Sequence, residues 1–332
     1  MFDLSRIGAV TVAVLGDAAL DVYWYADMKK SELSRETPHF PLPIVREVTS
    51  PGAGGNVAAN LAALRPRRVL LCGVLGDDWR GALLRQRLAA TGVDTDGLIV
   101  EQGRFTQAYC KPMRMGISDV VYEDPRLDFA ADAPIAPATE TAVLAWLDRA
   151  EREADVLCVC DQFANGIVTE AVLARLGRMR IPVAVDSRAR IERFRVRGVL
   201  KPNEFECRAA LARLGLPLPG EEEAAARALA DATDADVFLT AGSRGSVFAA
   251  PGGAALVMPA VPVAGPIDIV GAGDTSFAAF AACLAGGASP AEAAEIAALA
   301  SAVTVQKIGT TGTATPEEIL SLYESKGELR HG

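Results

Sequence analysis

The sequence predicts an α/β chain built on a doubly wound, mostly parallel sheet with helices on both faces and a small β-sheet lid. Two observations predict the sheet and a third predicts the lid. From Thr139 onward, helical and strand-like stretches alternate: ETAVLAWLDRAERE leads to DVLCVCD, TEAVLARLGRM leads to IPVAVDS, and an acidic helix leads to DVFLTAGS. That alternation is the signature of βαβ units, which need a parallel sheet with helices packed on it. Short, almost wholly apolar runs, Val10 to Leu15 and Val69 to Leu75, end in Gly16-Asp17 and Gly76-Asp77, as strands buried on both faces do. By contrast, segments 22–48 and 97–129 are polar, interrupted by prolines or turns, and in places alternating. They suit an antiparallel ribbon with one wet face, a lid over the main sheet. No linker or repeat divides the chain, so residues 1–332 read as a single domain with these two lid segments.

Composition narrows the function. Forty-two acids against 33 bases give a net charge of −9 with no long basic run, which argues against a nucleic-acid or anionic-membrane partner. No apolar stretch of about 20 residues is present to span a bilayer. The N-terminus runs directly into a strand-like segment without a signal-cleavage pattern, so the expected location is cytoplasmic. The six cysteines are scattered and read as buried thiols, and His39 and His331 are the only histidines, which leaves His-based triads and His-ligated zinc poorly supported. A phosphate site in this chain must therefore rest on backbone amides, a metal ion and a few local bases.

The stretch Gly265 to Ala282, GPIDIVGAGDTSFAAFAA, carries the sharpest chemistry. An apolar run meets a Gly271-Ala272-Gly273-Asp274 turn and then a small-residue helix. Glycines let the backbone approach a ligand, and the helix start adds unpaired amides and the positive end of its dipole, together an anion site. Asp274 places a carboxylate there. Either it caps the helix, or it takes a proton from a hydroxyl while the amides hold the phosphoryl group that the hydroxyl attacks.

Other candidate positions lie at strand ends and glycine turns. Asp17 and Asp21 follow the first strand at its carboxyl end, where open α/β sheets bind ligands, and are expected to grip the hydroxyls of a polyol. Gly54, Gly55 and Asn56 in PGAGGNVAAN read as a glycine-lined wall with an amide offered to substrate; Val57 breaks the dinucleotide fingerprint that this run superficially resembles. Arg126 and Asp128 alternate with Leu127 and Phe129, which puts both polar groups on one side of the lid. Thr240, Gly242, Arg244 and Gly245 form a turn with exposed amides and a cation for phosphate, or a plain hairpin. Asn203 and Glu206, three apart at a strand-to-helix junction, could orient a hydrated Mg²⁺ or form a capping box.

GAGDT at 271–275, NEFE at 203–206, TAGSRG at 240–245 and GAGGN at 52–56 resemble the motifs of the ribokinase-like (PfkB) carbohydrate kinases, in that family's order, over residues 10–318. The resemblance implies a ribokinase-like fold and ATP-dependent phosphorylation of a sugar hydroxyl. Asp274 would be the base, the amides of Gly271 to Asp274 the anion hole, Asn203 with Glu206 the Mg²⁺-organising pair, and Thr240, Gly242 and Gly245 would lie along ATP. Asp268, Val270 and Gly309 match the positions that hold a monovalent cation, K⁺ for example. Within the family, GDAALDVYWY, PGAGGNVAANLAAL, RLDF and KIGTTGTATPEEI are most similar to kinases of D-glycero-β-D-manno-heptose 7-phosphate. The chain departs from them at Gln162–Asn165, at Ser187-Arg188 and at Lys111. A kinase of an unphosphorylated sugar, of ribokinase or fructokinase type, and a non-catalytic sensor with the same fold are the alternatives. The expected partners are a sugar, ATP and a second copy of the chain, paired through the lid.

Overall fold

The structure is a computed structural model and describes residues 2–309 and 311–329. The chain enters β1 (Thr11–Gly16) and runs on through Asp17 into β2 (Ala18–Asp27). After β3 (Ile44–Ala53), α1 (Gly54–Ala63), β4 (Arg68–Gly76), α2 (Trp79–Ala90) and β5 (Asp94–Glu101) come β6 (Gln107–Met115), β7 (Tyr122–Glu123) and β8 (Leu127–Phe129). The regular half holds α3 (Pro137–Glu153), β9 (Val156–Asp161), α4 (Glu170–Leu176), β10 (Val183–Ser187), β11 (Gly198–Leu200), α5 (Glu204–Arg213), α6 (Glu222–Thr233) and β12 (Asp236–Thr240). The chain then passes through β13 (Ser246–Ala249), β14 (Leu256–Met258), α7 (Ala272–Ala285), α8 (Pro290–Thr304) and α9 (Pro316–Leu329).

Nine strands form the main sheet in the order β14-β13-β12-β11-β10-β9-β1-β4-β5, parallel from β12 to β5 and antiparallel at β13 and β14. Because strand side chains alternate, one strand feeds two cores. Val12 and Val14 of β1 pack with α1, α7 and α8, whereas Ala13 and Leu15 pack with α3, α4, α5 and α6. On the first face α7 brings Phe280, stacked 3.9 Å from Phe238 of β12. The chain winds outward from β1 in both directions, first to β4 and β5, later to β9 through β12. The carboxyl ends of β1 and β9 therefore flank the switch point, where such sheets open a cleft.

The lid is a separate sheet, β3-β2-β6-β7, with β8 also on β6. It grows directly from β1, since β2 follows after a single residue. Residues 97–101, expected in the lid, instead belong to β5 at the edge of the main sheet. Lid strands pair antiparallel in the register Asp21 to Ser50 and parallel in the register Asp21 to Tyr109, so the lid is a mixed sheet where an antiparallel ribbon was expected.

Asp17, the one residue between β1 and β2, does not reach for a ligand. Its carboxylate accepts from the backbone N–H groups of Gln162 (2.8 Å), Phe163 (2.9 Å) and Ile167 (2.7 Å), and it is 4% exposed. The expectation that Asp17 grips a sugar is corrected by this geometry: it ties the segment after β9 to the hinge of the lid. Burial pushes its carboxyl up to about 6, against the pull of these amides. Asp17→Ala leaves three amides without an acceptor, at about 1–3 kcal/mol for each one kept from water. The expected outcome is at least about 2 kcal/mol of lost stability, seen as an earlier urea midpoint at unchanged slope; a wild-type midpoint would refute the role.

Candidate active site

The loop before α7 turns at Gly271, whose φ of +80° favours glycine, and α7 starts without any side-chain cap. Asp274 lies in the first turn, but its carboxylate does not cap the helix. It accepts instead from Nδ2 of Asn56 at 2.7 Å. The amide of Ala272 is taken by the carbonyl of Ile269 (3.2 Å), so Ala272 drops out of the expected anion hole. Those of Gly271, Gly273 and Asp274 have no partner among the described residues and remain available to an anion.

Burial pushes the Asp274 carboxyl up to about 7, and the charges of Asp186 and Asp21 add to the rise. The Asn56 hydrogen bond and the charge of Lys201 oppose it. Lys201 and Asp186 form a buried ion pair, Nζ to Oδ2 at 2.8 Å. Burial works against the Lys201 charge, yet Asp186, with Glu206 and Asp274 behind it, holds the ammonium above its ordinary value. A Cβ built on Gly273 would lie 3.7 Å from this Nζ, so the ammonium stands beside the free amides. Sequence reasoning missed Lys201; its only signal was a lysine at the end of an apolar strand, immediately before Pro202-Asn203.

Asn56 reaches Asp274 because α1 begins at a strained corner. Ala53 has φ +49°, outside the range a side chain prefers, and is stabilised by no cap. Gly54 and Gly55, expected to line the cleft, are buried in this corner. A Cβ on Gly54 would come within 2.9 Å of the Gly16 Cα, and one on Gly55 within 3.2 Å of Pro51. They are contacts between α1 and the strands, and the glycine that borders a site acid is Gly52, whose added Cβ would meet Asp21 at 2.9 Å.

Asp21 faces Asp274 from the lid. Burial raises its carboxyl, partly offset by Lys111 and Arg126. Lys111 lies 4.0 Å away and donates to the Tyr23 hydroxyl at 2.8 Å. Arg126 and Asp128 do share a side of the lid, as a forked pair at 2.5 and 2.7 Å, with the guanidinium 4.5 Å from the Tyr109 ring centre. Tyr109 in turn approaches Phe163, from the segment after β9, at 6.2 Å. Arg188, just past β10, is exposed and makes no side-chain hydrogen bond or ion pair among the described residues; its charge is felt at both Tyr109 and Glu206.

On the far side, Asn203 and Glu206 form the complete capping box of α5, each side chain bonded to the other's backbone N–H at 2.9 and 2.8 Å. Glu206 keeps its Oε1 uncommitted. Asn203 bridges to Thr240, and Gly242 and Gly245 shape the turn into β13. Arg244, expected to meet phosphate, is held by Glu222 at 2.9 Å and contacts Glu204, so its charge is already countered. Asp268, Val270 and Gly309 are brought together: the Asp268 carboxylate accepts from the amides of Val270 (3.1 Å) and Gly309 (3.0 Å). No helix among the described residues is long and apolar enough to cross a membrane.

The chain matches the profile of the pfkB family carbohydrate kinases over residues 11–115 and 181–318. It is 33% identical over 336 aligned positions to the bifunctional protein HldE of Citrifermentans bemidjiense, an alignment covering 98% of this chain and 65% of that protein. It is 34% identical over 321 positions to HldE of a Caulobacter species, covering 94% of this chain and 62% of that one. The chain thus spans less than two thirds of the length of these relatives. Its fold is shared with ribokinase of Thermotoga maritima (TM-score 0.70, 21% identity, 95% of this chain and 99% of that one). Phosphofructokinase-2 of Escherichia coli, solved in complex with potassium, is similar too (TM-score 0.72, 18% identity, 95% and 99% covered). With the family profile spread over both halves of the main sheet and over the GAGD turn, this chain belongs to the pfkB family of carbohydrate kinases, enzymes with the ribokinase-like fold.

Proposed function

We propose that this kinase transfers the γ-phosphoryl group of ATP to a hydroxyl of a phosphorylated sugar, D-glycero-β-D-manno-heptose 7-phosphate at its 1-position. The observation that carries the reading is the Asp274 carboxylate beside the unpaired amides of Gly271, Gly273 and Asp274. Asp274 takes the hydroxyl proton, the freed oxygen bonds to the γ-phosphorus, and the bond from that phosphorus to the bridging oxygen breaks to release ADP. The amides and the Lys201 ammonium hold the charge on the transferring group, which is where most of the acceleration of phosphoryl transfer arises. Bound Mg²⁺ neutralises the nucleotide phosphates, and the free Oε1 of Glu206 would hold it through water. Asp268, Val270 and Gly309 would seat K⁺ mainly through carbonyls, since the Asp268 carboxylate already serves two amides.

The heptose phosphate reading is supported by the likeness to HldE and by two cations near the lid, Arg188 and Lys111. Arg188 is uncommitted and its charge is felt at Tyr109, two residues along β6 from Lys111, so a sugar phosphate under the lid would have cations to meet. Asn165 favours the rival, an unphosphorylated sugar, because its amide is tied to the carbonyl of Ala131 and adds no charge. The open edge of β3 leaves room for a second copy to pair through the lid.

Sugar-dependent ADP release tests the reading. Heptose 7-phosphate is expected to drive turnover, and Asp274→Asn to fold normally and lose at least about 100-fold in kcat. Comparable turnover by the variant would remove Asp274 as base. Arg188→Ala is expected to raise the KM of the phosphorylated sugar about tenfold or more while sparing the KM of ATP; equal effects on both substrates would contradict its placement.

A further inference from the structure

Behind the Asp274–Asn56 contact lies a buried polar chain that the proposed reaction leaves unused. Asn56 and Asn60, one turn apart on α1, are each 2% exposed. Nδ2 of Asn60 donates to the main-chain carbonyl of Asn56 (2.9 Å) and lies 3.1 Å from Asn56 Oδ1. The Asn60 Oδ1 accepts from the hydroxyl of Thr275 (2.8 Å), which itself sits 3.3 Å from the hydroxyl of Thr304 on α8. Directionality follows from one member. A main-chain carbonyl can only accept, so Asn60 must present its NH₂ there, and the second N–H of that group then points at Asn56. The end of the Asn56 amide facing Asn60 must be its oxygen, and the end facing Asp274 must be its NH₂.

We propose that Asn60 is a positioning residue that locks the Asn56 amide with its donor toward Asp274, holding the carboxylate in its proton-accepting form. The inference rests on the reading of Asp274 as the base. Without Asn60, the Asn56 amide is free to rotate by half a turn and offer its carbonyl oxygen, which a carboxylate repels and a carboxylic acid welcomes. The base would then hold its proton to higher pH. The other ionisable groups facing Asp274 are Asp186 at the end of β10, Lys201 after β11, Asp21 on β2 and the thiol of Cys160 on β9. None of them bonds to Asn60, so its substitution leaves their charges in place.

The test is the ionisation of Asp274 in Asn60→Ala and Asn60→Asp, read by ¹³C carboxyl NMR in substrate-free protein and by the acid limb of kcat/KM for the sugar. Asn60→Ala is expected to move both midpoints up by about one pH unit, a loss of about tenfold in kcat/KM on the acid side that closes at high pH. Asn60→Asp, which when ionised presents only acceptors to Asn56 and adds a negative charge behind it, is expected to move them further. Thr275→Val removes a single hydroxyl from the far end and is expected to give a smaller shift in the same direction, which keeps the test open if both Asn60 variants fail to fold. Unmoved carboxyl midpoints in the variants that fold would overturn the inference. A shifted carboxyl midpoint with an unshifted rate profile would uphold the positioning and overturn the role of Asp274 as base.

Discussion

A half-buried carboxylate, one hydrogen bond away from a fully buried amide, is the constraint around which this molecule is arranged. Left in water, Asp274 would be a weak base, since proton transfer is efficient when the pKa lies near the working pH. Partial removal from water raises that value, and a cleft closed over substrate would strengthen every donor aimed at the phosphoryl group. The fold supplies this partial burial by converging three parts: the start of α7, the strained corner before α1, and the ends of β10 and β11. The Lys201–Asp186 pair shows how a cation is placed there without neutralising the base. Asp186 takes most of the ammonium's charge at 2.8 Å, and Lys201 lowers the Asp274 carboxyl only in part.

The lid follows from the same geometry. Because β2 continues β1 after one residue, anything that sets that residue sets the angle at which the lid stands over the cleft. Asp17 sets it by joining the segment after β9, and that segment carries Phe163 toward Tyr109. The wall of the cleft and the hinge of its cover are thus fixed together. On the other edge of β2 from Tyr109, the hydroxyls of Thr311 and Ser50 meet at 2.8 Å and tie the lid to the loop that follows Gly309.

The sheet and the glycine turn that opens α7 were legible in the sequence because both are local: apolar runs at strand length, and glycines ahead of a small-residue helix. The parts that were not legible depend on what meets what across the chain. Asp17 and Asp21 look alike at a strand end, and only the path of residues 162–167 decides that one is structural and the other faces the site. Arg244 reads as a free cation until α5 and α6 bring Glu204 and Glu222 to it. Gly54 and Gly55 suit a ligand or a close backbone equally well, and the approach of Gly16 settles it. The capping box at Asn203 was one of two readings, and the structure contains it while leaving an oxygen of Glu206 spare. Asn60 was invisible because a lone asparagine among alanines carries no periodic or compositional signal.

The pH dependence of kcat/KM for the sugar, measured with wild-type protein at saturating Mg-ATP, tests the central claim most directly. A base must be ionised to act, and burial pushes the Asp274 carboxyl up to about 7. The rate should therefore be full above that value and fall about tenfold for each pH unit below it. A rate that stays level down to about pH 5, where a carboxylate of ordinary pKa remains ionised, would contradict the account.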